Sequence, residues 1–369
     1  MTDSRFTVVY QINAGDQSGA TERATDICVE QTVEIPLDVV PEHLKETMVG
    51  RTEVLTRLDD SHYRAVISYP LSGIGTDTVQ LLNMLFGNIS LKPGVKITGM
   101  DWNAVSYLFS GPRFGISGIR KLIGIPDRAM SCTSIKPIGL SSKELADVCY
   151  QFAVGGLDIF KDDHGLINQD SARFDERVTM CVDAIKRAAD KTGKKSLYFP
   201  NITADGEETV ERYHKAAEMG ADGVLIMPQL TGITLLQKLA KLEPALPIMA
   251  HPGFAGPFVI HPDHGFTPAF YFGELWRALG ADCLVYPNAN GRFVFTEDQC
   301  KALNSSAKTA DLPFKPSFPT PGGGIQRGNI PKWLQSYGPD TIFLVGGSLY
   351  QHPEGKEVAA REFQQILEQ

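Results

Sequence analysis

From about residue 130 onward the chain repeats one rhythm: a short apolar run ending in polar or glycine residues, a stretch with apolar positions at helical spacing, then another apolar run. Eight runs follow this rule: AMSCTSIKP (129–137), GLDIFKDD (156–163), SLYFPNIT (196–203), DGVLIMP (222–228), LPIMAHP (246–252), DCLVYPN (282–288), FKPSFPTP (314–321) and TIFLVGGS (341–348). Their near-continuous hydrophobicity marks strands buried on both faces of a parallel sheet. Between the first two, Ser141 and Glu144 form a capping box ahead of Leu145, Val148, Cys149 and Phe152, which share one helical face. Val178, Cys181, Val182 and Ile185 repeat that spacing, and Gly193 is placed to end their helix. MGAD (219–222) and LGAD (279–282) each close a helix and lead into a strand, as a repeating unit would.

Eight such units predict a closed (β/α)₈ barrel rather than an open doubly wound sheet. Neither GxGxxG nor GxxxxGK[ST] occurs, which removes the usual dinucleotide and P-loop signals. The first 125 residues differ. FTVVYQI and YRAVISYP alternate like strands and PEHLKETM reads as a helix, so 1–125 is expected to be a small α+β domain and 126–369 the barrel, with the boundary near 124–128.

Composition narrows the partners. With 369 residues there is ample material for a barrel plus a smaller domain. The formal net charge is −8 and no Lys/Arg run occurs, so neither nucleic acid nor an anionic membrane is expected as a partner. The amino terminus lacks a basic region followed by a long apolar stretch, and a cytoplasmic location is expected. Six scattered cysteines without a CxxC pair suit reduced, buried thiols.

Barrel enzymes gather reactive groups where strands end. Here those ends carry Lys136, Lys161-Asp162-Asp163-His164, Asn201 with Thr203, His251, Gly322-Gly323-Gly324 and Gly346-Gly347. A lysine ammonium is only a donor, but a buried amine of lowered pKa can take up CO₂ as a carbamate, whose oxygens can join a carboxylate around a hard divalent cation. An ion-paired rim without metal explains KDDH equally well from the pattern alone. The glycines of the last two runs fit backbone N–H groups closing on a phosphate, though glycines also make tight turns. His251, His261 and His264 are read as substrate contacts or structural histidines, and Trp102, Trp276 and Trp333 as packing.

Taken together, these residues resemble the large-subunit family of ribulose bisphosphate carboxylase (RuBisCO). GGLDIFKDDHGL is similar to the family's GGxDFxKDDE metal motif and SCTSIKPIGL to its TIKPKLGL strand. FGN ending at Asn88, PGGGI from Pro321 and VGGSLYQHP from Val345 match in consistent order. The resemblance implies a ferredoxin-like α+β domain followed by the barrel, Lys161 carbamylated by CO₂, and Mg²⁺ or Mn²⁺ held with Asp163. It implies proton transfer by Lys136; Asn201 and His251, from their strand-end positions, are expected to contact the substrate, and Gly322–Gly324 and Gly346–Gly347 its phosphate. Asn88, with Glu30 as a looser match, would reach the site from a neighbouring subunit, implying a homodimer or a dimer-based oligomer.

The departures are as informative. His164 stands where the family has a metal-binding glutamate, and Arg292 where the mobile sixth loop has its CO₂-steadying lysine. Ile138 replaces the second lysine of KPKLGL, and Pro252 follows His251 where an arginine binds the second phosphate. The chain therefore resembles the RuBisCO-like branch, which implies metal-dependent enolisation of a phosphorylated ketose without CO₂ fixation. The expectation is a 5-methylthioribulose 1-phosphate isomerase of methionine salvage. Alternatives are a decarboxylase or transcarboxylase of an oxo-sugar-acid phosphate, a 2,3-diketo-5-methylthiopentyl-1-phosphate enolase, and a non-catalytic regulatory barrel.

Overall fold

The computed structural model describes residues 4–368 and divides into two compact units. Among the described residues the first comprises 4–110, 255–271 and 311–313, the second the remainder.

In the first unit, β1 (Arg5–Asn13), the helix Gln17–Glu30, β2 (Arg51–Arg57), β3 (His62–Pro70), the helix Thr78–Phe86 and β4 (Val95–Met100) follow in βαββαβ order. The antiparallel sheet runs β4-β1-β3-β2, the ferredoxin-like arrangement, and the two-residue strand β10 (Gly265–Phe266) extends it beyond β4. Phe6, Val8, Tyr10 and Ile12 alternate inward along β1, burying one sheet face while the other residues of the strand stay partly open.

The second unit holds the eight strands read from the sequence: β5 (Met130–Ile135), β6 (Ile159–Asp162), β7 (Leu197–Phe199), β8 (Val224–Ile226), β9 (Ile248–Ala250), β11 (Cys283–Pro287), β12 (Phe318–Gly322) and β13 (Ile342–Val345). They are parallel in the order β7-β6-β5-β13-β12-β11-β9-β8. A single bridge, Asn201 to Leu225, links the two ends of that order into a ring. Inward positions of period two fill the barrel with Met130, Cys132, Ile159, Leu197, Phe199, Leu225, Met249, Cys283, Val285, Phe318, Ile342 and Leu344. The boundary expected near 124–128 falls inside this unit. The helix Gly115–Ile123 sends Ile116, Ile119 and Ile123 into the same core, and Asp282 accepts from the amides of Phe114 (2.8 Å) and Gly115 (2.7 Å) at its start.

Both helix signals take the expected form: the Ser141 capping box opens Ser142–Val154, and a left-handed Gly193 caps Phe174–Thr192. All six cysteines are buried and free. Among the described residues no helix is long and apolar enough to cross a membrane.

Candidate active site

Continuing each strand's inward set by one step of two residues, or by two steps on β5, β6 and β12, places a defined ring of residues at the barrel mouth. In spatial order it runs Asn201, Asp163, Lys136, Gly346, Gly322, Pro287, His251 and Met227. One arc carries the Asn201 amide and the charged Asp163 and Lys136, the next is glycine, and the remainder is imidazole flanked by apolar side chains.

In the charged arc, Lys136 Nζ lies 3.0 Å from Asp163 Oδ2, and the other carboxylate oxygen is 3.1 Å from His164 Nδ1. A carboxylate only accepts, so His164 donates through Nδ1. Burial opposes ionisation of Asp163, but the His164 hydrogen bond and the lysine charges outweigh it and hold the carboxyl far below the usual range. Lys161 is buried, its amine donating to the Asp162 carbonyl at 3.0 Å, and burial pulls its pKa below the ordinary lysine value. A displaced proton is what carbamate formation requires.

Asp162 points the other way, as strand alternation demands. Its carboxylate is buried against Arg177 (3.1 Å), the Tyr198 hydroxyl (2.6 Å) and the Asn201 amide (2.8 Å). The first carboxylate of KDDH is thus a structural anchor. Asn201 in turn donates its side-chain amide to the His164 carbonyl at 3.0 Å and so fixes the turn carrying that histidine.

His251 closes the ring from β9, its Nδ1 accepting from the Gly253 amide at 3.1 Å. Burial, with Lys161 and His164 nearby, drives its pKa well down, so the ring is neutral and carries its proton on Nε2. Tyr350, not singled out from the sequence, and Ile138 also shape the mouth. The Tyr350 hydroxyl accepts from the Lys136 amide (3.2 Å) and donates to the Ser134 carbonyl (2.8 Å), tying the segment after β13 to β5. Ile138 lies over Gly165, where a Cβ would come within 2.6 Å of its Cδ1.

The glycine arc is bare. Gly323 and Gly324 have φ of +82° and +70°, and a Cβ on Gly346 would sit 3.9 Å from Lys136 Nζ. Gly324 also serves packing, since its Cβ would strike Gly291 of the sixth loop at 2.9 Å. Arg292, in that loop, is exposed with its guanidinium over the Phe293 ring, and it is not drawn into the Lys136–Asp163 cluster. Asn88 and Glu30 lie in the first unit, joined by a 3.0 Å hydrogen bond, with Lys92 on the Glu30 carboxylate at 2.8 Å.

Among the described residues no three His, Cys, Asp or Glu side chains converge as a metal set. Asp163 and His164 supply two donors, and Lys161 is the residue whose modification would add the third. The donor set therefore fits a divalent cation only with the carbamate in place.

Fold and mouth together define a (β/α)₈-barrel protein whose reactive groups stand at the strand ends. The pattern of the ribulose bisphosphate carboxylase large chain, catalytic domain, matches residues 115–369. The chain is 34% identical over 354 residues to the 5-methylthioribulose-1-phosphate isomerase of Rhodospirillum rubrum, covering 95% of this chain and 92% of that one. It is 32% identical to the 2,3-diketo-5-methylthiopentyl-1-phosphate enolase of Bacillus licheniformis, covering 95% and 88%. A crystal structure of a RuBisCO-like protein from Rhodopseudomonas palustris superposes with a TM-score of 0.89 at 31% identity, covering 100% of this chain and 98% of that one. The chain belongs to the RuBisCO large-chain family, in its RuBisCO-like branch.

Proposed function

We propose that this protein is a metal-dependent enzyme that enolises a ketose monophosphate beside its carbonyl and isomerises it, with 5-methylthioribulose 1-phosphate as substrate. The observation that carries the reading is the Lys136–Asp163 contact at the mouth, set between the buried Lys161 and the bare glycine arc. Amide groups of Gly322–Gly324 and Gly346–Gly347 would hold the phosphate. Lys161 as carbamate, Asp163 and His164 would hold Mg²⁺ or Mn²⁺, which polarises the ketone and lowers the cost of removing the neighbouring proton. With Asp163 drawn to the cation, the Lys136 ammonium would first release its own proton to solvent. The free amine would then take the substrate's proton and return it, while neutral His251 donates through Nε2 to the substrate. Arg292 closes over the bound molecule. By the family resemblance, Asn88 and Glu30 of a second copy complete the site in a homodimer.

A single phosphate is favoured because Pro252 offers nothing to a second one, and a buried phosphate without charge-assisted hydrogen bonds would lose its hydration uncompensated. The relative named as an enolase favours a second reading, in which the same enediolate chemistry acts on a diketone phosphate. Purified protein with metal and bicarbonate is given each candidate in turn, and products are followed by NMR. Rearranged pentulose phosphate from the thioether ketose supports the isomerase, while an enol from the diketone supports the second reading. CO₂ release from an oxo-sugar-acid phosphate, or 3-phosphoglycerate from ribulose bisphosphate, overturns both. Activity should rise on preincubation with bicarbonate, and full activity in CO₂-free buffer would refute the carbamate.

A further inference from the structure

Among the described residues, all the large apolar side chains that the barrel unit leaves exposed follow the C-terminal end of a strand: Ile138 after β5, Leu230 after β8, Phe254 after β9, Phe293 and Val294 after β11. None lies on the outer helices or at the opposite end. Water-exposed apolar area confined to the mouth of a barrel marks a binding surface.

Phe254 stands out in this set. It is 69% exposed and has a φ of +68°, a conformation that costs a bulky residue free energy and persists only where the surroundings impose it. The turn that imposes it begins at His251, whose Nδ1 accepts from the Gly253 amide. Met227 lies against the same turn, its Sδ 2.7 Å from where a Gly253 Cβ would be. In the ring order, β8 lies opposite β13, which carries Gly346, and β9 lies opposite β5, which carries Lys136. A ketose held with its phosphate on Gly346 and its carbonyl over Lys136 would reach across the mouth toward those two strands, where Met227 and Phe254 stand.

We propose that Phe254 and Met227 form an apolar subsite that receives the uncharged end of the substrate and selects a thioether over a hydroxyl there. The assignment rests on the phosphate-anchored orientation given under the proposed function. A thioether gains from an apolar wall, whereas a hydroxyl would give up hydration with no partner in return.

The test uses two kinds of ligand. Turnover of 5-methylthioribulose 1-phosphate is compared with that of ribulose 1-phosphate, its hydroxyl-ended counterpart, for wild type, Phe254→Ala and Phe254→Gly. Binding of pentyl phosphate and 5-hydroxypentyl phosphate is measured on the same proteins by calorimetry. Phe254→Ala should lower kcat/KM for the thioether by about tenfold, the scale of a lost apolar contact, and leave the hydroxyl-ended ketose unchanged. Phe254→Gly should do the same with an equal or higher Tm, because it relieves the positive φ. Wild type should prefer pentyl phosphate and both variants should lose that preference. A wild type that binds with this preference but turns over neither ketose refutes the reaction and supports the subsite. Equal loss on both ligands, or no loss on either, overturns the subsite whatever the reaction proves to be.

Discussion

The imidazoles of His164 and His251 stack face to face, 4.9 Å between centroids and 6° from parallel, although their strands β6 and β9 are separated in the ring by β7 and β8. The stack spans one side of the mouth and couples the loop after the metal-motif strand to the histidine on β9. His251→Phe preserves a stacking ring but removes the Nε2 donor. It should lower kcat/KM by about a hundredfold, the usual cost of a preorganised donor, with Tm near that of wild type. An unchanged kcat/KM would reduce His251 to packing.

Asp162 and Arg177 are both wholly buried, and their contact links β6 to the helix Phe174–Thr192. Removing one partner strands the other charge in the interior. Arg177→Met should destabilise the protein by about 3–5 kcal/mol in urea unfolding. A loss below about 1 kcal/mol would mean that water reaches Asp162.

Burial raises the Asp282 carboxyl from 3.8 to about 6, despite its bonds from the Gly115, Ile248 and Phe114 amides. A folded pKa above the unfolded one makes the stabilising proton fully effective below about pH 4 and lost as pH rises through 6. The stability of wild type relative to Asp282→Asn should therefore fall by about 2 kcal/mol between pH 4 and pH 7. A pH-independent difference would show that Asp282 ionises as freely in the folded chain as in the unfolded one.

The barrel was legible because each strand is a continuous apolar run, and because glycines such as Gly220 and Gly280, both at positive φ, punctuate the repeats. The first unit was harder to read. The helix Gln17–Glu30 buries mainly Ala20, Ala24, Ile27 and Cys28, too small a set for a clear apolar stripe, and β2 is an almost wholly exposed edge with no apolar face. Lys136, Lys161 and Asp163 were legible from motif and strand ending. That Asp162 faces Arg177, that His164 reaches His251, and that Tyr350 braces Lys136 depend on contacts between segments far apart in sequence.

The central claim is that Lys136 moves a proton beside the carbonyl of a thioether ketose monophosphate. It is tested most directly by following deuterium entry into 5-methylthioribulose 1-phosphate in D₂O by NMR, for wild type and Lys136→Met, with Mg²⁺ and bicarbonate present. The account predicts exchange at the carbon next to the carbonyl with wild type and a loss of at least about a hundredfold in Lys136→Met, while phosphate-ligand binding is retained. Exchange at the wild-type rate in Lys136→Met, or none with wild type, would contradict it.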